Sequence, residues 1–113
     1  MLSNPILETI KKPLGLADDY EAFDQDLIIH INSALMTLEQ VGLPRFFLNT
    51  GSETWAEYLL DYDGPEVSAL ANYIALHVKR VFDPPQNSFT TNALNAVIEE
   101  TLWRINIQAE SEV

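Results

Sequence analysis

The chain is predicted to be all-α, a small bundle of four to five helices with long amphipathic second, fourth and last members. Three observations carry that expectation. Apolar residues recur at spacings of three and four over long stretches, as in Phe23, Leu27, Ile31, Ala34, Leu38 and Val41, which is the period of a helix with one buried stripe. No window shows the sustained two-residue alternation of a strand. Glycines and prolines stand between the periodic segments, where they punctuate helices. With 113 residues, 47% of them hydrophobic, the chain can bury a modest core, and residues 1–113 are expected to form a single domain.

The first helix is short. Ser3 is its expected N-cap, Pro5 lies in its first turn, and Ile6, Leu7 and Ile10 are its apolar positions. Lys11 and Lys12 suit the negative end of its dipole, and Pro13 with Gly15 stops it. The second helix is expected from about Glu21 to Val41. Asp18, Asp19, Glu21, Asp24 and Asp26 crowd its start, where carboxylates are favoured, and Gly42 with Pro44 ends it. That acidic cluster lacks the alternating oxygen ligands, central glycine and terminal glutamate of a calcium-binding EF-hand loop, so helix capping is the preferred reading.

Residues 43–52 are expected to form a loop. Ser52 is placed as the cap of a short third helix carrying Trp55, Tyr58, Leu59 and Leu60. After a loop at 61–66, Pro65 opens a fourth helix whose core stripe is Val67, Leu70, Ile74, Val78 and Val81. Pro84 and Pro85 lack backbone donors and bias the residues before them away from helical geometry, so 82–88 is a stiff connector. The last helix is expected from Thr91 to Ile105, with Leu94, Val97, Ile98, Leu102 and Ile105 inward. The polar tail, about 108–113, is expected to fray.

Seventeen acidic and six basic side chains give a net charge of −11. A binder that neutralises DNA phosphates needs a basic face that six scattered cations do not supply, so tight duplex binding is not expected. The absence of cysteine rules out disulfides, thiolate catalysis and cysteine-ligated metals. No apolar run approaches the roughly 20 residues of a membrane-spanning helix, and the first residues lack the basic and apolar regions of a secretory signal, so a soluble chain is expected.

Little in the sequence points to catalysis, and no cofactor or metal is expected. His30 lies on or near the apolar stripe of the second helix, as a core-edge histidine would, and His77 sits with Lys79 and Arg80 near a helix C-terminus. There is no HExxH pair, no glycine-rich phosphate loop and no nucleophile elbow. Glu99 and Glu100 project about 100° apart on one helix and do not form a facing dyad. The residues left over from core packing are candidate contacts with another subunit or partner: Phe46, Phe47, Trp55, Asp83, Pro84, Pro85, Trp103 and Arg104. For Phe46, Phe47 and Trp55 a satellite hydrophobic cluster under the loop is an equal alternative. For Arg104 the favoured partner is Asp83 or a glutamate within the subunit.

Four stretches in this order carry a resemblance: Ile10-Lys-Lys-Pro-Leu-Gly-Leu, Phe23-Asp-Gln-Asp-Leu-Ile-Ile-His-Ile-Asn-Ser-Ala, Leu38-Glu-Gln-Val-Gly-Leu running on to Trp55, and Val81-Phe-Asp-Pro-Pro followed by Glu100-Thr-Leu-Trp-Arg-Ile-Asn. Together, from Ile6 to about Ile107, they are similar to the head–tail connector, or adaptor, proteins of long-tailed bacteriophages, also described as DNA-packaging proteins. The resemblance implies a helical, non-catalytic virion protein of the phage neck, assembled in the host cytoplasm. Such proteins form a ring, usually of twelve copies, between the portal and the next neck or tail-completion protein, and extend the channel after packaging. Passing DNA would contact that ring without tight binding. Where related chains often have a glycine-rich turn after the second helix, this one has Val41-Gly-Leu-Pro-Arg, and Pro44 stiffens it. Two other classes compete: an acidic regulatory protein or DNA mimic binding a basic partner, and a small metal-dependent packaging factor.

Overall fold

Five helices are present among the described residues of the computed structural model, which are 3–60 and 66–111, with side chains as far as residue 109. They are α1 (Ile6–Lys11), α2 (Asp24–Gln40), α3 (Trp55–Tyr58), α4 (Val67–Phe82) and α5 (Ser88–Ser111). Beside them stands one isolated backbone bridge, Pro5 with Thr54. The expected loop at 61–65, with Pro65 opening a helix, lies outside the described residues.

α4 is the central helix. It packs along α2 on one flank and α5 on the other, while α1 lies across α2 and α4. The periodicity of the sequence explains this placement. Leu70, Tyr73, Ile74 and Val78 of α4 are buried against Leu27, Ile31, Ala34 and Leu38 of α2, with Ile98 and Ile105 closing the other side. Each buried Leu or Ile contributes about 1.5–3 kcal/mol over an exposed one. Two expected members of these stripes miss the core. Val81 and Val97 are about half exposed: Val97 stands about 100° around α5 from Ile98, whereas Val81 is on the buried line of α4 but in its last turn.

Several boundaries differ from the sequence expectation, each for a physical reason. Ser3 does not cap α1: the N-cap is Pro5, and the Ile6 N–H donates instead to the Glu53 carbonyl at 2.9 Å. α3 is capped by Thr54, not Ser52. The Thr54 hydroxyl accepts from the Glu57 N–H, and the Glu57 carboxylate accepts from the Thr54 N–H, a reciprocal capping box. α5 starts three residues early because Asn87 Oδ1 accepts from the Thr90 N–H at 2.8 Å. It runs on to Ser111, and Ala109 is buried beside Gly42 at the end of α2. An added Cβ on Gly42 would stand only 3.2 Å from that of Ala109.

α2 begins at Asp24, so Asp18, Asp19 and Glu21 precede the helix and do not line its first turn. The segment from Lys12 to Phe23 is held by something the sequence reading missed. Lys11, expected at a solvated helix end, is buried with only 2% of its side chain exposed. Its Nζ pairs with Asp24 Oδ1 at 2.6 Å and donates to the carbonyls of Tyr20 at 2.8 Å and Asp18 at 3.2 Å. Two of the ammonium protons go to these carbonyls, and its charge faces the Asp24 carboxylate. One side chain thus joins the end of α1, the irregular segment and the start of α2.

Candidate functional site

The loop between α2 and α3 is tied down by polar contacts. Asn32 of α2 accepts from the Leu48 N–H at 2.7 Å and donates from Nδ2 to the Leu48 carbonyl at 3.0 Å, so one amide satisfies both backbone groups of a buried residue. Glu53 closes the next turn by accepting from the N–H groups of Asn49, Thr50 and Gly51. Burial raises the pKa of Glu53, and these backbone donors outweigh it, holding the carboxyl below its usual range. Gly51 has φ +90°, and a Cβ there would lie 2.8 Å from Leu7 Cδ2, so the loop depends on glycine at that point.

Trp55, expected as a candidate surface anchor, is fully buried, and its indole N–H donates to the Thr9 hydroxyl at 3.0 Å. Its ring neighbours Tyr58, which in turn packs on the half-buried Phe46 at 5.3 Å between centroids. Of the two readings open for these aromatics, the packed cluster under the loop is what forms around Trp55. An indole enclosed within its own subunit has no face to offer a partner. Phe47 is half-buried on the outer side, where the Arg45 guanidinium lies 5.5 Å from its ring centroid.

At the other end of the molecule, Asp83 and Pro84 are exposed and Pro85 is half-buried. Pro85 forms one wall of an apolar groove between α4 and α5 with Leu76, Leu94 and Val97. Arg80 Nη1 donates to Asn95 Oδ1 at 3.3 Å across the same pair of helices. Trp103 and Arg104 lie fifteen and sixteen positions along α5 from Ser88, about 23 Å away at 1.5 Å per residue. Arg104 pairs with Glu100 at 2.8 Å, so of its expected intrasubunit partners the glutamate is the one observed, not Asp83. The eight candidate residues therefore fall in three separate places and do not converge on one site.

The histidines are structural in position. His30 is half-buried on α2. His77 is buried on α4 beside Tyr73, and its Nδ1 has no hydrogen-bond partner. Burial first, then the nearby charges of Arg80 and His30, holds its pKa below 6.5, so the expected role as a cation at the helix end is replaced by a neutral core imidazole. A sign follows for stability. The unfolded imidazole takes up a proton near 6.5 and the folded one resists it, so stability should fall as pH drops below about 6.5. Denaturant midpoints measured from neutrality down to about pH 5, above the main carboxylate range, test this. The variant His77→Leu should flatten that part of the curve, and an equal slope in both proteins would refute the assignment to His77.

Among the described residues no three or more His, Asp or Glu side chains are grouped to hold a metal ion, and no helix is long and apolar enough to cross a membrane. A family model described as phage connector protein matches residues 6–112, nearly the whole chain. The chain belongs to the phage connector protein family. No curated protein and no solved structure matches it. The stretches that carry the likeness to connectors hold Lys11, Asp24, Asn32 and Trp55, the residues that fasten this connector's segments together. The sequence reading named Trp103 as a candidate contact but missed the rest of its face. Phe89, at the start of α5, is 83% exposed and lies on the helix face of Trp103 and Ile107. Positions 89, 93, 96, 100, 103 and 107 repeat at three- and four-residue spacings opposite the buried Ile98 and Ile105, a second line that is apolar except at Glu100, whose carboxylate pairs with Arg104.

Proposed function

We propose that the chain is a structural subunit of the phage neck. Copies form a closed ring between the portal and the next neck or tail-completion protein, and the ring extends the DNA channel after packaging. The match of the connector family model over residues 6–112 carries this reading. The role is one of assembly without catalysis or cofactor, in the virion and, before that, in the cytoplasm of the host. The charge of −11 suits it, because carboxylates along a channel repel phosphates and let DNA pass without adhering. Self-association must then use surfaces from which charge is absent.

The test is binding to isolated portal assemblies of the same phage. The chain should co-sediment with them and add a ring of density at the tail-facing end of the portal in averaged images. Failure to co-sediment at low and moderate salt, with a folded chain, would overturn the neck assignment.

A further inference from the structure

We infer that the outer face of α5 docks on the outer face of α2 of a second copy, and that this pairing is the contact between neighbouring subunits of the ring. The ring itself rests on the neck reading; the pairing of faces comes from the geometry. α4 lies between α2 and α5, so the two helices form opposite flanks of the molecule. Flanks that differ from one another and bind each other give a head-to-tail contact, the kind that propagates and can close into a ring.

Both flanks carry a line of exposed apolar side chains, and the carboxylate on the α5 line, Glu100, is paired with Arg104 at 2.8 Å. On α5, Phe89 and Trp103 are 83% and 61% exposed, Ile107 continues their line, and Ala93 and Ala96 are exposed along it. On α2, Ile29 and Met36 are 63% and 50% exposed, with Ser33 between them. No charged residue occurs from Pro84 to Ile98, and none but His30 could carry charge from Leu27 to Leu38. Two copies of a chain with net charge −11 repel each other least where these two stretches meet.

The spacings also agree. Ile29 and Met36 are seven residues apart, as are Ala96 and Trp103. Laid antiparallel, Trp103 covers Ile29 while the small Ala96 receives Met36. The same register brings Arg104, the one cation of α5, to within side-chain reach of Asp26 at the start of α2. At its observed exposure Trp103 alone would bury roughly 150 Å² of the approximately 800 Å² per partner of a stable interface, and Phe89 falls opposite position 43, just past the end of α2.

Because the chain has no cysteine, the contact can be read by cross-linking. Chains carrying Ala96→Cys and chains carrying Met36→Cys are mixed and oxidised, free in solution and again with portal assemblies. A disulfide dimer should form in the mixture and not in either chain alone. Adding Trp103→Glu to the Ala96→Cys chain should leave helicity unchanged and weaken cross-linked association roughly 30-fold or more, as for loss of a central aromatic. Rings on the portal without the mixed disulfide would overturn the pairing and leave the neck reading intact. No disulfide and no portal binding would overturn both.

Discussion

Replacing Lys11 with methionine should cost about 3 kcal/mol, enough to lower the melting temperature by on the order of 10 °C in a chain of this size. Methionine fills much the same volume and removes the charge, so the effect isolates the ammonium from its packing. The Asp24 carboxylate loses its counter-charge and the carbonyls of Tyr20 and Asp18 lose their donor at once. Removing one partner of a buried pair costs about 3–5 kcal/mol because the other charge is left uncompensated. The lower end applies here, since the Asp24 side chain is 25% exposed and water can reach it. Lys11→Arg should not restore the wild-type midpoint, because a planar guanidinium does not match three oxygens gathered around a point charge. Thermal unfolding followed by helical circular dichroism reads both variants. A loss under about 1 kcal/mol for Lys11→Met would mean that Lys11 fills space in the core and that its ion pair adds little.

The case of Lys11 shows where a sequence is silent. Its partners lie seven, nine and thirteen residues ahead, two of them backbone carbonyls of a segment with no periodicity. A lysine after Ile10 resembles a charge at a helix end in every local respect. The acidic cluster misled for the same reason: five carboxylates before an apolar stripe suggest a longer helix, yet only Asp24 and Asp26 lie in its first turn. By contrast, the cores of α2 and α4 were legible because Leu27, Ile31 and Leu38, and Leu70, Ile74 and Val78, repeat with the helical period over about three and two turns. α5 was only half legible. It carries apolar residues on two opposite faces, so the inner stripe was visible while Phe89 escaped notice. Trp55 was ambiguous in the chain, and its buried indole finds its acceptor on Thr9, forty-six residues away.

These observations divide the molecule by purpose. The buried Lys11 and the half-buried Asn32 bind irregular backbone to helices, and five exposed apolar residues, Ile29, Met36, Phe89, Trp103 and Ile107, lie on the outer lines of α2 and α5. The ring subunit we propose would use both. Its loops must keep their shape against neighbours on either side, and its flanks must find each other despite like net charge.

Asn32→Leu should be the second costly change, at about 2–4 kcal/mol, because it orphans two backbone groups at one buried residue. Leu48 is buried, and its N–H and C=O face the Asn32 amide at 2.7 and 3.0 Å instead of a strand or helix neighbour. Leucine matches asparagine in size and offers neither donor nor acceptor, so the packing is largely kept while both hydrogen bonds go. Asn32→Asp separates the two bonds. A carboxylate still accepts from the Leu48 N–H but repels its carbonyl oxygen, so this variant should lose roughly the larger part of the same stability at neutral pH. Lowering the pH protonates the introduced carboxylate and supplies a donor to the carbonyl, so the gap between Asn32→Asp and wild type should narrow in acid. The released loop should also be cut sooner by protease between Arg45 and Thr50 while α2 and α4 stay protected from hydrogen exchange. If Asn32→Leu instead melts with wild-type stability and wild-type proteolysis, the loop is held by its apolar contacts and by Glu53, and the amide clamp is secondary.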